Sequence, residues 1–340
     1  MKHRKLLSLF LAAAMAVSIS GCSGNGSGSG ESGDSNVSSG AAGEDSGVVE
    51  MPTSSRVSEN GWEFGQVAMG GGGFVSGVFA TSQDGLYYAR TDVGGAYRYN
   101  KDTQLWESMS YGVSEEDQGF LGIAALAFGE KDPNRVYMLA GTSYLSGGRT
   151  ALFVSDDYGV TFRRTELSDF RVDGNGMGRG NGERLAVDPK NSDIVYAGFM
   201  SSGGMIKSTD GGQTYTTLDL GTDTTTSNSN GICSIIIDPN SGDENSCSTI
   251  YAAISRKGDY NIYKSTDAGT TWAPVEEAPK GLMVQRMKYN GDGKIVITYA
   301  DAEGPWNNNR SSGGIRMLNM ADDTFTDITP KKQAYGDVVI

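Results

Sequence analysis

The sequence predicts an all-β protein of the β-propeller class, in which four-stranded sheets surround a central axis. An eight-residue pattern, Ser-x-Asp-x-Gly-x-Thr-aromatic, begins at Ser155, Ser208 and Ser265, a repeat of roughly 55 residues. An Asp-Pro pair followed by a β-branched residue and tyrosine precedes each copy. Gly contributes 49 of the 340 residues, alongside 16 Tyr, 11 Phe and 4 Trp, a composition typical of short packed strands between tight turns.

Each repeat divides into four short strands, because alternating apolar residues are interrupted by turn residues. In the third blade the predicted strands cover residues 185–187, 194–198, 205–208 and 214–218. Four antiparallel strands in a repeat of this length describe one propeller blade. Weaker repeats at residues 86–106 and 294–328 bring the prediction to about five blades. Residues 335–340 resemble the inner strand of a sixth blade.

The eight-residue pattern resembles the Asp-box of propellers related to bacterial sialidases, a turn between the third and fourth strands of a blade. In such a turn the aspartate accepts backbone N–H groups, the glycine adopts a positive φ angle and the aromatic residue packs between blades. Asp157, Asp210 and Asp267 are therefore predicted to be structural. A sialidase is disfavoured because the sequence contains no Arg-Ile-Pro motif and no convincing arginine triad.

The first residues predict an export signal. Three basic residues precede an apolar stretch at residues 6–19, which is too short to cross a bilayer but suits the core of a signal peptide. The following Ile-Ser-Gly-Cys22 resembles a bacterial lipobox. Residues 1–21 are therefore predicted to be removed and Cys22 to be acylated. A plain secretory signal with an unmodified Cys22 is the alternative.

Residues 22–61 are predicted to form a flexible tether. The segment is rich in Gly, Ser and acidic residues and contains no aromatic residue, so it cannot bury a core. Behind a lipid anchor it would hold the propeller, residues 62–340, at the outer surface of a bacterial cell. In that extracytoplasmic location Cys233 and Cys247 could form a disulfide, and two free buried thiols are the open alternative.

Charge and histidine content exclude several classes of function. The net charge of −13 repels phosphate backbones, which argues against nucleic-acid binding. The only histidine, His3, lies in the predicted signal peptide. Histidine-based catalytic triads and histidine-ligated zinc sites are therefore excluded for the mature protein, and no metal or other cofactor is predicted. Carboxylates, Tyr, Lys and Arg remain to carry any chemistry.

One face of the predicted propeller collects candidate binding residues, because the loops after the second and fourth strands share it. The strand register places Asp92 on this face, between the second and third strands of the first blade. The candidate substrate-binding residues on the same face are Tyr144, Arg179, Asn181, Tyr260 and Trp306. Aromatic rings stack on pyranose faces while amides and charged groups bond hydroxyls, so the set suits a sugar. Filling of glycine-rich turns is the alternative for any one of them.

Three stretches resemble glycoside hydrolase family 74. Residues 70–77 (GGGGFVSG) and 88–99 (YARTDVGGAYRY) look like the opening of that family, and residues 178–189 (GRGNGERLAVDP) match it as well. The likeness begins near Trp62 and continues to the end of the chain. This family contains xyloglucan-cleaving endoglucanases and related oligoxyloglucan-specific enzymes.

The resemblance implies two seven-bladed propellers that face each other across a cleft and hydrolyse a β-1,4-glucan backbone, such as that of xyloglucan, with inversion. It implies that Asp92 is the general base that activates water. Inversion also needs a carboxylic acid about 6.5–9.5 Å away. The resemblance places this acid in a second propeller, outside this sequence, so neither Glu183 nor Asp301 receives the role.

The sequence leaves several points open. They are the identity of the general acid, endo against chain-end action and the side-chain pattern of the glucan. A noncatalytic propeller lipoprotein that binds glycans or assists assembly is the alternative function.

Overall fold

The computed structural model describes residues 56–57, 63–64, 69, 71–110, 112–302, 311–331 and 333–335. The predicted signal peptide, Cys22 and Trp306 lie outside the described residues. The chain divides into two units, residues 1–68 and 69–340. In the first unit, Arg56–Val57 (β1) pairs antiparallel with Glu63–Phe64 (β2). Within the described part of the chain, no helix combines the length and apolar character needed to span a membrane.

The second unit contains five four-stranded antiparallel sheets, each formed by four strands that follow one another along the chain. Blade by blade, the strands are Val75–Ala80 (β3), Tyr87–Thr91 (β4), Ala96–Asn100 (β5) and Leu105–Ser108 (β6); Ile123–Phe128 (β7), Val136–Gly141 (β8), Thr150–Ser155 (β9) and Arg163–Glu166 (β10); Leu185–Asp188 (β11), Asn191–Gly198 (β12), Met205–Ser208 (β13) and Thr216–Leu218 (β14); Ile232–Ile237 (β15), Ile250–Ile254 (β16), Ile262–Ser265 (β17) and Ala273–Pro274 (β18); Met283–Tyr289 (β19), Lys294–Ala300 (β20), Gly313–Asn319 (β21) and Phe325–Asp327 (β22). Short 3-10 turns occur at Glu115–Leu121, Ser146–Gly148 and Ser201–Gly203. The prediction of a β-propeller with about five blades is confirmed.

Blades 1 and 5 are longer than the sequence pattern indicated. Blade 1 begins at Val75, and blade 5 begins at Met283, so each has a first strand ahead of its predicted repeat. Neither first strand leads into an Asp-Pro turn, which is the feature that made the other blades visible in the sequence. Of the residues predicted to open a sixth blade, only Tyr335 is described.

A tyrosine in the second strand links each of the first four blades to the next one. Tyr88, Tyr137, Tyr196 and Tyr251 are all 0% exposed, within the apolar clusters that lie between successive blades. The Tyr88 hydroxyl donates to the carbonyl of Tyr158 at 3.1 Å, and the Tyr196 hydroxyl donates to the carbonyl of Ala268 at 3.2 Å. The second-strand tyrosine thus combines burial with a satisfied hydroxyl.

The three Asp-boxes are structural turns, as predicted, and the third shows how they work. Asp267 accepts hydrogen bonds from the Thr271 N–H at 2.8 Å and from the hydroxyls of Thr271 and Ser265 at 2.6 and 2.8 Å. The φ angle of Gly269 is 91°, which favours glycine. The ring of Trp272 packs against the core between blades 3 and 4. Bonds from Thr271 and Ser265 lower the pKa of Asp267 to about 2.

We expect Asp267→Asn to lower the melting temperature by about 2–4 °C at pH 6, the effect of losing one cap-like hydrogen bond in a domain of this size. Because the pKa of Asp267 is depressed in the folded protein, its contribution is complete above about pH 4 and is lost as the pH falls towards 2. The difference between wild type and variant should therefore shrink at pH 2.5. Thermal unfolding followed by circular dichroism at both pH values measures it.

Asp102→Asn is the matched control, because Asp102 is exposed in the corresponding turn of blade 1. This substitution should leave the melting temperature unchanged. A shift for Asp267→Asn that equals the control, or that persists at pH 2.5, would contradict the role given to the Asp-box carboxylate.

Candidate active site

Asp92 opens the loop between the second and third strands of blade 1, as the strand register predicted. Strand β4 ends at Thr91 and β5 begins at Ala96. The Thr91 hydroxyl closes the loop, since it accepts the Gly94 N–H at 2.8 Å and donates to the Gly95 carbonyl at 2.8 Å. Asp92 is only 5% exposed. The sequence thus builds a tight turn that holds a single carboxylate at the end of a strand.

Both oxygens of the Asp92 carboxylate have a defined donor. The backbone N–H of Phe74 donates to Oδ1 at 2.7 Å, and Nη1 of Arg179 donates to Oδ2 at 3.0 Å. The Asp92 N–H in turn donates to the Phe74 carbonyl at 3.1 Å. An ionised carboxylate has about four acceptor positions. Each oxygen therefore retains capacity for a further donor such as a water molecule.

A chain of contacts connects Asp92 with an exposed aromatic ring. Arg179 Nη1 also donates to Oδ1 of Asn175 at 2.5 Å, and the Asn175 amide donates to the Tyr144 hydroxyl at 2.6 Å. Tyr144 is 61% exposed. The Phe74 ring centroid lies 5.2 Å from the Arg179 guanidinium carbon. Two of the predicted binding residues, Tyr144 and Arg179, are thus brought together with Asp92.

The loop that carries Arg179, residues 173–184, is held by a buried arginine of blade 1. Arg90 is 0% exposed and pairs with Glu183, with Nη2 and Oε1 2.9 Å apart. The same guanidinium donates to the carbonyls of Arg179 at 3.1 Å and of Asn181 at 3.0 Å. Arg90 therefore fixes the backbone from which the Arg179 side chain reaches Asp92.

Blades 2, 4 and 5 also hold this loop. The Leu126 N–H donates to the Glu183 carboxylate at 3.2 Å, and the Ser234 hydroxyl donates to the Gly182 carbonyl at 2.9 Å. Arg286 Nη2 donates to the Gly180 carbonyl at 3.1 Å. A single loop between blades 2 and 3 is thus bonded to strands of four different blades, including blade 1, which carries Asp92.

Backbone segments around Asp92 pack directly against each other, which only glycine permits. A Cβ atom on Gly94 would lie 1.8 Å from the carbonyl oxygen of Gly72, and one on Gly174 would lie 2.3 Å from the carbonyl carbon of Gly122. Neither position could accept a side chain unless the backbone moved. Close packing at this site therefore explains why glycine stands at positions 94 and 174.

Two other candidate residues, Asn181 and Tyr260, stand apart from this cluster. Asn181 is 4% exposed and its amide nitrogen lies 3.5 Å from the Val284 carbonyl, so the prediction that it contacts a sugar does not fit its burial. The Tyr260 hydroxyl donates to Glu276, and Lys280 Nζ lies 3.4 Å from the centroid of the Tyr260 ring, so one ring face is covered. Among the described contacts, none joins Tyr260 to Asp92. Trp306 lies outside the described residues.

The possible disulfide between Cys233 and Cys247 is not formed, and both thiols are free and buried. Cys233 packs in the core between blades 4 and 5, whereas Cys247 packs in the core between blades 3 and 4. The two side chains therefore lie on opposite sides of the blade 4 sheet. Burial raises the pKa of each thiol to about 12. The second of the two alternatives left open by the sequence is the one observed.

The structure adds residues that sequence reasoning did not single out. Phe74 and Asn175 contact the Asp92–Arg179 pair. Phe74 lies in the glycine-rich motif at residues 70–77, and Asn175 lies three residues before the motif at residues 178–189. A cavity of about 590 Å³ between blades 1 and 2 is lined by residues such as Met109 and Phe162, and by none of the residues that contact Asp92. Within the described part of the chain, no three or more His, Cys, Asp or Glu residues form a group that could hold a metal ion.

The chain is similar to several known proteins. It is 35% identical over 289 residues to an oligoxyloglucan-reducing end-specific xyloglucanase of Emericella nidulans. The aligned region covers 79% of this chain and 34% of the relative. A xyloglucanase of Acetivibrio thermocellus is 35% identical over 282 residues, covering 79% of this chain and 33% of that protein. No family model matches the chain.

A solved structure is also similar to this chain. The crystal structure of a glycoside hydrolase family 74 enzyme from Niastella koreensis superposes with a TM-score of 0.72 at 43% identity, covering 78% of this chain and 38% of that chain. The present chain spans about a third of the length of the curated relatives it matches. Over its propeller the chain is a homologue of glycoside hydrolase family 74 enzymes, and these similarities support its placement in that family.

Proposed function

We propose that this chain carries the general base of an extracellular glycoside hydrolase that cleaves the β-1,4-glucan backbone of xyloglucan with inversion. The observation that carries the proposal is the Asp92 carboxylate, which is held by Phe74 and Arg179 and linked through Asn175 to the exposed ring of Tyr144. The names of the relatives, which are xyloglucanases, support the choice of substrate.

In the proposed reaction, Asp92 accepts a proton from a water molecule as the water oxygen bonds to the anomeric carbon. The bond from that carbon to the glycosidic oxygen breaks, and a second carboxylic acid gives its proton to the leaving oxygen. The two carboxyl groups must lie about 6.5–9.5 Å apart to admit the water. Two fixed donors on Asp92 hold its orientation before the water arrives, which lowers the entropic cost of the step.

The second carboxylic acid is proposed to come from a second propeller. The relatives are about three times as long as the part that this chain covers, which leaves room for such a domain. Glu183 is a poor candidate for the acid, because it is engaged by Arg90 and by the Leu126 N–H. Asp301 accepts hydrogen bonds from Ser311, which lower the pKa of Asp301 and disfavour the protonated form that an acid requires.

Tyr144 is the proposed platform for a glucosyl unit next to Asp92. Its ring is exposed, and its hydroxyl is fixed by the Asn175 amide, so little freedom is lost when a pyranose stacks on it. Tyr260 and Trp306 are proposed to contact the glucan as well. Acylation at Cys22 and the tether at residues 22–61 are proposed to hold the enzyme at the cell surface, where plant cell-wall glucan is accessible.

Reducing-sugar release tests this proposal. The chain of 340 residues is compared with an extended protein, the complete gene product with its proposed second propeller. Each is incubated with xyloglucan and with a chitin oligosaccharide as the negative substrate. We expect only the extended protein to cleave, and only xyloglucan to be cleaved. Cleavage by the 340-residue chain alone would contradict a second propeller as the source of the acid. No cleavage of xyloglucan by either protein would favour a noncatalytic glycan-binding role.

A further inference from the structure

We infer that Arg179 is a positioning residue for Asp92 and not a contact for the sugar. The inference rests on the proposed role of Asp92 as general base. Arg179 lies in the loop between blades 2 and 3, 87 positions from Asp92 in the chain, and reaches the carboxylate of blade 1 across the interface of two elements. Its side chain is 20% exposed, and that of Asp92 is 7% exposed. Little of the guanidinium therefore remains available to a ligand.

The Arg179 guanidinium is fixed by three kinds of contact. Nη1 is shared between the carboxylate of Asp92 and the amide oxygen of Asn175, at 3.0 and 2.5 Å. The ring of Phe74 lies against the guanidinium, 5.2 Å from centroid to carbon. A planar guanidinium that stacks and bonds at once loses little further entropy when it engages a carboxylate. The Arg179 guanidinium is therefore preorganised before the substrate binds.

The backbone of Arg179 is fixed as well. Its carbonyl accepts a hydrogen bond at 3.1 Å from Arg90, which is fully buried and paired with Glu183. Both ends of the residue are therefore tied to blade 1, the blade that carries Asp92. A side chain that only contacts a sugar would not require a backbone held in this way.

The two donors on Asp92 act on different oxygens, and this determines what Arg179 contributes. With only the Phe74 N–H on Oδ1, a single hydrogen bond restrains the plane of the carboxylate. The second donor on Oδ2 fixes the plane of the carboxylate, and with it the direction of the free lone pairs that meet the water. A general base must lie within hydrogen-bond reach of its proton in the reacting geometry. A misplacement of about 1 Å costs roughly 100-fold in rate.

The test compares kcat with KM in the complete gene product acting on a xyloglucan oligosaccharide. We expect Arg179→Ala to lower kcat by about 10- to 100-fold with KM essentially unchanged, and Arg179→Lys to lower it less, because lysine keeps the charge but not the fork of donors. Guanidinium chloride at millimolar concentration should restore part of kcat to Arg179→Ala, whereas sodium chloride at equal ionic strength should not. Arg164→Ala is the control, since Arg164 forms a surface ion pair with Asp117.

The outcomes separate this inference from the proposed function. Raised KM with unchanged kcat in Arg179→Ala would make Arg179 a sugar contact and overturn the inference. A lower kcat that guanidinium does not restore at all would indicate a general disturbance of the fold and would also overturn the inference. A lowered melting temperature of Arg179→Ala, together with an equal loss of kcat in Arg179→Lys, would identify this outcome. Full turnover by Asp92→Ala would instead overturn the proposed function. If Asp92→Ala is inactive and Arg179→Ala keeps its kcat, only the inference fails.

Discussion

Replacement of Asp92 by alanine in the complete gene product is expected to lower kcat on xyloglucan by about 100- to 10,000-fold, the usual contribution of a positioned general base. The side chain is small and lies in a loop, so the blade should stay folded. The water would then have no acceptor for its proton, because Arg179 and the Phe74 N–H are both donors. Initial rates of reducing-sugar release measure the effect.

The control for this prediction is Asp193→Ala. Asp193 pairs with Arg135 at 2.8 Å, and its side chain is 55% exposed. We expect this variant to keep wild-type kcat, and circular dichroism to show the same β-sheet spectrum for both variants. An Asp92→Ala enzyme that turns over at the wild-type rate would remove Asp92 from the mechanism.

The second large effect is expected for the stability of the loop that supports Arg179. We expect Glu183→Ala to lower the free energy of unfolding by about 3–5 kcal/mol, the cost of leaving one member of a buried ion pair without its partner. Arg90 is 0% exposed, and the Glu183 carboxylate accepts from it and from the Leu126 N–H. Urea unfolding followed by tryptophan fluorescence measures the change.

Two variants define the comparison for Glu183. Glu183→Gln keeps an acceptor for Arg90 and should cost less than Glu183→Ala. Glu166→Ala breaks a pair with Arg149 in which both side chains are 38% exposed, so it should cost no more than about 1 kcal/mol. Equal losses in the free energy of unfolding for Glu183→Ala and Glu166→Ala would contradict the stabilising role of the buried Arg90–Glu183 ion pair.

The blade pattern was readable from the sequence because local chemistry produces it. The Asp-box supplies its own hydrogen bonds within eight residues, and the tyrosine after the Asp-Pro turn is buried in every blade that carries the mark. The position of Asp92 followed from strand register. The first strands of blades 1 and 5 were missed because no local turn signal accompanies them.

The support of the site was not readable, because it depends on residues far apart in the chain. Arg90 and Glu183 are 93 positions apart, and Arg179 meets Asp92 across 87 positions. Arg179 and Asn181 lie two residues apart in an irregular loop, yet one contacts Asp92 and the other is buried against Val284. No periodicity tells which way a side chain points in such a loop. The same holds for Cys233 and Cys247, which a folded sheet separates.

Chemical rescue of Asp92→Ala by azide is the most direct test of Asp92 as the general base. Azide is an anionic nucleophile that needs no base, so it can replace the water on the face of the sugar opposite the leaving group. We predict that the complete Asp92→Ala gene product regains cleavage of xyloglucan oligosaccharides in the presence of azide and releases an α-glycosyl azide, identified by proton NMR. No azide-dependent cleavage, or a β-linked azide, would contradict Asp92 as the base of an inverting reaction.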